Sequence, residues 1–229
     1  MDEGFVAGLT ADLRLLGVRP GHRLLDVGCG SGRHVLAARS LGARAVGVDL
    51  TPQADWGKSG GRGSFALADA TRLPFPSASM DAIVCTEVLE HVANPRACVR
   101  ELARVLVPGG RAVVSVPTSL TEDVLWRFPG YAPTPGGHLR IFRSGELARL
   151  LTSHGFRLYD MRYRHFLASV YWLLRCIRGV RKPGNPVSVL ASPGGRRLPV
   201  DSSRFLARCE RVGDLFWPKS LVLYVRKVD

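Results

Sequence analysis

The sequence predicts an α/β fold in which a mostly parallel sheet carries helices on both faces. An apolar run, Leu24-Leu25, closes on Asp26 and is followed at once by three glycines at alternate positions, which indicates a strand, a tight turn and a helix N-terminus. A second apolar run ends on Asp49, and further strand-like runs alternate with helical segments. Such alternation is typical of parallel strands joined by crossover helices.

The length and composition favour one folded domain. A chain of 229 residues can bury a full core but is too short for two ordinary enzyme domains, and 46% hydrophobic with 22% charged residues is typical of a globular protein. We therefore expect a single domain over residues 1–229. Within it we expect an N-terminal cap helix at 1–20, a substrate-side loop at 117–143 and a basic, apolar insertion at 164–219.

The net charge of +13 and the pI of about 10.4 are compatible with a polyanionic partner or an anionic membrane surface, although a solvated basic surface is the plainer interpretation.

The cysteines are scattered, odd in number and without paired spacing, which suggests neither a disulfide framework nor a zinc site: Cys29, Cys85, Cys98, Cys176 and Cys209. The N-terminus is acidic and lacks the pattern of a signal peptide, so we expect a cytoplasmic protein.

The spacing of the first glycines limits the choice of cofactor. Dinucleotide-binding turns follow G-x-G-x-x-G, whereas this turn is G-x-G-x-G and Arg33 stands where the third glycine would be. A nicotinamide cofactor is therefore disfavoured. Glycine still permits a sharp backbone turn and close approach of a ligand to a helix N-terminus, where free N–H groups lie.

The run Leu25-Asp26-Val27-Gly28-Cys29-Gly30-Ser31-Gly32 resembles the first motif of the class I S-adenosylmethionine-dependent methyltransferases. A chance glycine-rich turn is the alternative for this motif alone. Asp49 then ends the second strand 21 residues after Gly28, where a carboxylate could accept both ribose hydroxyls; its alternative role is to cap the next helix.

The resemblance continues as far as Val116 and implies S-adenosylmethionine as the cofactor. In the family, an acid and the residue after it meet the adenine ring, and here these would be Asp69 and Ala70. The predicted cofactor-binding residues are Asp26, Gly28, Cys29, Gly30, Gly32, Asp49, Leu50, Asp69, Ala70 and Thr86. The implied fold is a Rossmann-like three-layer sandwich whose seven-stranded, mostly parallel sheet has an antiparallel edge strand.

The fourth predicted strand is followed by Glu87-Val88-Leu89-Glu90-His91, which is similar to a segment of the ubiquinone-type O-methyltransferases. Some relatives use the two acids and the histidine for a divalent cation, and i, i+3 spacing on a helical turn would place Glu87 and Glu90 on one side. We predict no metal. His91 is a candidate general base or substrate partner, or else a residue that orders the loop.

After the fifth predicted strand the chain departs from the common pattern. Residues 117–135 mix aromatic residues with prolines, and His138-Leu139-Arg140 precedes a helix predicted at Gly145–His154. Loops at the carboxyl edge of the sheet overhang the cofactor, so His138 is the second candidate base and Arg140 a further site candidate. Bracing of the loop is the alternative role for His138.

Residues 164–219, between the sixth and seventh strands, carry eleven basic against three acidic residues, or +8 of the net charge. The insertion opens with an apolar helix at Phe166 whose end becomes basic at Arg175 and Arg178. This helix either packs on the core or is an interfacial lid that receives a lipidic acceptor beside anionic headgroups.

These residues predict a methyltransferase that acts on a small hydrophobic acceptor, with O-methylation favoured and a lipid, quinone-like compound or secondary metabolite as acceptor. An RNA methyltransferase would use the basic insertion, but no N/D-P-P-Y/F tetrad follows strand four, where Thr86-Glu87-Val88-Leu89 stands. A non-catalytic cofactor-binding module is the third alternative. Of the macromolecular partners considered, an anionic membrane contacted peripherally is favoured over nucleic acid, and the oligomeric state is not predicted.

Overall fold

A computed structural model describes residues 9–54, 56, 64–128, 131, 137–178 and 208–228. Seven strands form one sheet in the order β3-β2-β1-β4-β5-β7-β6. The strands are β1 (Arg23–Val27), β2 (Arg44–Asp49), β3 (Phe65–Leu67), β4 (Met80–Thr86), β5 (Leu106–Pro117), β6 (Phe156–Arg164) and β7 (Ser220–Lys227). The predicted α/β fold with a seven-stranded, mostly parallel sheet is confirmed.

Strands β1 to β5 pair in parallel, and β7 runs antiparallel to both β5 and β6. The antiparallel strand thus lies between β5 and the edge strand β6. The helices are α1 (Arg33–Ser40), α2 (Pro95–Val105), α3 (Ser119–Leu125), α4 (Ser144–Thr152) and α5 (Phe166–Arg178), and residues 208–213 form a further short helical segment.

The sheet separates two hydrophobic clusters, because successive side chains of a strand point to opposite faces. One cluster packs α2 and α4 against residues such as Leu25, Ile83 and Val114. The other packs α1 and the N-terminal segment against residues such as Leu24 and Val84. The central strands are buried on both faces, so their carboxyl ends form a rigid edge on which a site can be built.

Three local expectations differ from the structure. Residues 9–20 of the expected cap helix form turns, and residues 1–8 lie outside the described part of the chain. The expected loop 117–143 contains α3, which begins because Thr118 accepts a hydrogen bond from the backbone N–H of Thr121. Residues 108–110 are a Pro-Gly-Gly run that predicts a turn, but they lie inside β5, where the pairing with β4 shifts register between Met80 and Ala82.

Candidate active site

The glycine turn after β1 is fixed against β2 and open on its outer side. The backbone N–H groups of Gly28 and Cys29 donate to the carbonyl of Val48 at 2.8 and 3.0 Å. Gly28 has a φ of +68°, and a Cβ there would come within 2.3 Å of a methyl carbon of Val88. Gly30 has a φ of +49°, but a Cβ there would meet no atom within 4 Å. Packing therefore requires glycine at position 28, whereas position 30 leaves open space into which a ligand can come.

Asp26 lies directly beneath this turn, fully buried, and neither of its carboxyl oxygens has a hydrogen-bond partner among the described residues. Nδ1 of His34 lies 3.7 Å from Oδ2 of Asp26. Burial, reinforced by the charge of Asp49, raises the pKa of Asp26 to about 8. A buried acid without a partner is costly, and a cation bound above the turn would stabilise its ionised form.

Asp49 ends β2 and contacts the glycine turn directly. Its Oδ2 accepts from the backbone N–H of Gly30 at 2.9 Å, and its Oδ1 accepts from the backbone N–H of Thr51 at 3.2 Å. The carboxylate therefore braces the turn, and its remaining lone pairs are available to a ligand. Leu50, the next residue, has 71% of its surface exposed.

Trp56 forms a wall of the site that sequence reasoning missed. Its indole Nε1 donates to the carbonyl of Gly30 at 2.8 Å, and its ring stacks on Phe65 with centroids 5.2 Å apart. The available signal was a tryptophan at the start of the stretch 56–63, whose glycine, lysine and arginine content favours an exposed connection. Of it, residues 57–63 lie outside the described part of the chain.

Three further predicted cofactor residues lie at neighbouring strand ends. Asp69 is exposed after β3 and accepts at one oxygen from both the backbone N–H and the hydroxyl of Thr71, each at 2.8 Å. Ala70 is buried beside it, and Thr86 ends β4 half-buried. Because β3, β2, β1 and β4 are adjacent and parallel, their carboxyl ends bring all the predicted cofactor residues to one edge.

The segment after β4 turns without forming the predicted helical turn. Glu87 has a φ of +56°, and its carboxylate accepts from the hydroxyl of Ser115 at 2.9 Å. Glu90 is buried, and its two oxygens have no hydrogen-bond partner among the described residues. Burial first, and then the charge of Glu87, raise the pKa of Glu90 well above its usual range. The helical turn predicted to place these two acids on one side was wrong, because the backbone of Glu87 is left-handed and residues 87–92 form a bend and a turn.

The structure brings together the two candidate bases, His91 and His138, which are 138 − 91 = 47 residues apart in the sequence. Their ring centroids lie 4.9 Å apart with the planes at 70°. Nδ1 of His91 donates to the carbonyl of Gly137 at 3.1 Å, and Nδ1 of His138 lies 2.7 Å from Oε2 of Glu122. Burial, with the nearby charge of His138, lowers the pKa of His91. Each imidazole is thus anchored through Nδ1.

Ligand atoms of Glu90, His91 and His138 lie within 4.8 Å of one another, close enough for a metal ion to bridge them. The set differs from the Glu87, Glu90 and His91 set that the sequence suggests, since His138 takes the place of Glu87.

Arg140, the further site candidate, does not belong to this cluster. Its guanidinium donates to the carbonyls of Val92 and Ala93 at 2.5 and 3.0 Å and so braces the turn that carries His91.

Glu122 on α3 is the principal site residue that the sequence did not reveal. It is 1% exposed, and each of its oxygens accepts two hydrogen bonds. The donors are Trp126 Nε1 at 2.8 Å and His138 Nδ1 at 2.7 Å on Oε2, and Tyr131 Oη at 2.9 Å and Lys219 Nζ at 2.5 Å on Oε1. Burial alone would raise the pKa of Glu122, but the bond from His138 and the charge of Lys219 outweigh it and lower the pKa to about 2.

The predicted apolar helix at the start of the insertion is α5, and its N-terminus is capped from the segment before β7. Asp214 and Glu210 accept from the backbone N–H groups of Phe166 and Leu167, both at 2.9 Å. Large apolar side chains remain exposed nearby, namely Ile177, Val212, Leu215 and Phe216. Five of the insertion's basic residues, Arg181, Lys182, Arg196, Arg197 and Arg204, lie outside the described residues.

The sheet order, the glycine turn and the acids at neighbouring strand ends are those of a Rossmann-like α/β fold. Residues 25–114 match a family model described as a methyltransferase domain. The chain is 32% identical over 155 residues to the ubiquinone biosynthesis O-methyltransferase of Xanthomonas axonopodis pv. citri, covering 62% of this chain and 65% of that protein. The chain spans 39–65% of the length of the first curated relatives that it matches.

Solved structures support the fold. The [4+2]-cyclase SpnF superposes with a TM-score of 0.62 at 24% identity, over 94% of this chain and 80% of that one. The 1,6-didemethyltoxoflavin-N1-methyltransferase of Burkholderia thailandensis, solved with its substrate and S-adenosylhomocysteine, superposes with a TM-score of 0.59 at 22% identity, over 94% and 74%. At these identities the likeness extends to the fold alone, and the fold hosts more than one reaction. Among the described residues, no helix is long and apolar enough to cross a bilayer.

Proposed function

We propose that this protein is an S-adenosylmethionine-dependent methyltransferase that methylates an oxygen of a small, hydrophobic acceptor. The proposal depends on two features that lie at the same edge of the sheet. One is the glycine turn, which is open at Gly30 and lies next to the buried carboxyl of Asp26, and the other is the pair His91 and His138. The glycine turn with Asp26 suits a cationic nucleoside cofactor. The two histidines suit the removal of a proton from a hydroxyl group of the acceptor.

The residues present fit the cofactor. The turn Gly28, Cys29, Gly30 and Gly32 would cradle it, with Asp49 and Leu50 at the ribose, Asp69 and Ala70 at the adenine, and Thr86 beside the turn. The orphaned carboxyl of Asp26 supports this assignment because the cofactor's positive charges would stabilise its ionised form. When bound, S-adenosylmethionine supplies an electrophilic methyl group on a positively charged sulfur.

The chain's contribution to the chemistry is alignment and proton removal. Methyl transfer needs the acceptor held in line in a site from which water is excluded, and a protonated acceptor also needs a base. Because Nδ1 of both His91 and His138 is held by an oxygen acceptor, the Nε2 atoms are the ring nitrogens left to take the proton of a hydroxyl or phenol. This pair favours O-methylation over methylation of an amine, which can react already deprotonated.

Aromatic and apolar groups near the site support a hydrophobic acceptor. A cleft of about 280 Å³ between α3 and the segment before β7 is lined by Leu120, Phe142, Tyr163 and Phe216. The relative named for ubiquinone biosynthesis supports a quinone-like compound, although lipids and secondary metabolites meet the same requirement. Salt-dependent binding of RNA would instead favour the RNA methyltransferase alternative.

The exposed apolar side chains around α5 support peripheral contact with an anionic membrane. Leu215 and Phe216 are 79% and 73% exposed, and Arg208 and Arg211 are exposed beside them. An apolar tip with neighbouring cations is the pattern that inserts among anionic headgroups. The double variant Leu215→Asp with Phe216→Asp should lose sedimentation with phosphatidylserine vesicles, whereas Leu67→Asp, on the opposite sheet edge, should keep it. Equal binding by both variants contradicts membrane contact.

The proposal is tested by calorimetric titration with S-adenosylmethionine, with NAD as control, followed by turnover with phenolic and quinol acceptors. We expect saturable binding of S-adenosylmethionine alone. Asp49→Ala should lose this binding, whereas His91→Ala and His138→Ala should keep it and lose turnover. Cofactor binding without turnover across acceptors would favour a non-catalytic module or another reaction on the same fold, and equal loss of binding in all three variants would contradict the assigned roles.

A further inference from the structure

The buried carboxylate of Glu122 joins the end of α3 and the loop that follows it to the start of β7, 97 residues further along the chain. It receives hydrogen bonds from its own helix at Trp126, from Tyr131, from the loop at His138 and from the strand-entry residue Lys219. Lys219 is 8% exposed, so the opposite charges compensate each other inside the protein. The carboxylate has all four of its lone-pair positions in use and is therefore held in one orientation.

A carboxylate in this environment dictates which nitrogen of His138 carries the proton. Glu122 is ionised and can only accept, so Nδ1 of His138, 2.7 Å away, must donate to it. In the neutral imidazole Nε2 then holds the lone pair. Of the described groups, those with titratable or charged atoms around this ring are Glu122, Lys219, Tyr131, Glu87, Glu90 and His91.

We propose that Glu122 is a positioning residue that fixes the tautomer and orientation of His138, so that Nε2 faces the acceptor hydroxyl. The inference rests on the proposed function, in which His138 takes the acceptor's proton. Nε2 of His138 would take the hydroxyl proton, while the cofactor would supply its methyl group to the acceptor oxygen and its sulfur would leave with the electron pair of the carbon–sulfur bond. The imidazolium formed is stabilised by the adjacent carboxylate, which keeps its negative charge throughout.

A purely structural role for Glu122 is the rival account, because the same bonds tie α3 to β7. The two accounts differ in whether Glu122 determines the tautomer of His138. Nitrogen-15 NMR of the histidine side chains measures this tautomer directly. The signals of His138 are assigned as those that are missing from the spectrum of His138→Gln. Wild-type His138 should carry its proton on Nδ1. In Glu122→Gln this preference should be lost. It should persist in the control variant Glu101→Gln, which changes a carboxylate on α2 that accepts three hydrogen bonds, two of them from Arg104.

Kinetics give the second measurement. We expect Glu122→Gln to lower kcat by about 100-fold or more while the acceptor KM and the cofactor Kd stay within about twofold. Glu122→Asp keeps the charge and should recover part of kcat together with the Nδ1 proton. If Glu122→Gln does not fold, Glu122→Asp replaces it in the comparison with Glu101→Gln. A kcat of Glu122→Asp at least about tenfold below that of Glu101→Gln, with an unchanged cofactor Kd, supports the inference. Equal kcat values in the two variants overturn it.

The outcomes also separate this inference from the proposed function. If His138→Ala leaves kcat unchanged, the proposed role of His138 fails. If His138→Ala abolishes turnover but Glu122→Gln keeps both kcat and the Nδ1 tautomer, only the positioning role is overturned. A fall in kcat that is matched by an equal loss of cofactor binding in Glu122→Gln would reduce Glu122 to a structural brace.

Discussion

Replacement of Gly30 by alanine separates the ligand-binding role of the turn from its structural role. The φ of +49° costs an alanine side chain about 1–2 kcal/mol, but the added Cβ meets no protein atom within 4 Å. Stability should therefore fall by about that amount and no further. The methyl group would project into the space assigned to the cofactor, and the Kd for S-adenosylmethionine should rise at least about tenfold, which is about 1.4 kcal/mol.

Two other glycines provide the controls. Gly21 has a φ of +82° and also has no neighbour for a Cβ within 4 Å, but it lies in the turn before β1, so Gly21→Ala should lose similar stability and keep the cofactor Kd within about twofold. Gly28→Ala adds the 2.3 Å contact with Val88 and should lose about 1–3 kcal/mol more.

Thermal unfolding measures the stability of the three variants, and calorimetric titration measures the cofactor Kd of each. A folded Gly30→Ala protein that binds S-adenosylmethionine as tightly as the wild type would refute the assignment of the open space above the turn to the cofactor. A stability loss in Gly30→Ala as large as that in Gly28→Ala would refute the packing argument.

Three further predictions concern charged and aromatic side chains at the site. Because the pKa of Asp26 is raised to about 8, its carboxyl is protonated below that pH, so the cofactor affinity should fall by up to about tenfold per pH unit below 8. Asp26→Asn should flatten this dependence, and an unchanged slope in titrations from pH 6 to 8 would contradict it. Burial lowers the pKa of His34 to about 4, so this histidine stays neutral when folded but protonates below about pH 6.5 when unfolded. As the pH falls from 6.5 to 4, the free energy of unfolding of the wild type should therefore decrease relative to that of His34→Gln, by up to about 1.4 kcal/mol per pH unit. Urea unfolding of both proteins measures this difference. Trp56→Ala removes the wall beside Gly30 and should weaken cofactor binding with little effect on Tm; an equal Kd in both proteins would show that Trp56 lies outside the cofactor site.

Contiguous patterns in the sequence were sufficient to predict most of the fold. Strand β1 lies in the predicted apolar run before the glycines, and α4 lies within two residues of the helix predicted at Gly145–His154, since apolar runs and helical spacing are local signals. The helical turn at Glu87–His91 was wrong because the backbone of Glu87 is left-handed, a feature for which a glutamate gives no warning. The helix α3 was missed because seven residues are too few to show a period among prolines and aromatic residues.

The sequence by itself determined the glycine turn after β1, because a turn between a strand and a helix is built from neighbouring residues whose types are restricted by backbone geometry. The pairing of His91 with His138, the packing of Trp56 on the glycine turn and the Glu122–Lys219 ion pair were decided only by the tertiary structure. Glu122 and Lys219 are 97 residues apart. Contacts of that kind leave no period or spacing in the sequence, because they arise only when the sheet order brings separate strand ends and loops to the same edge.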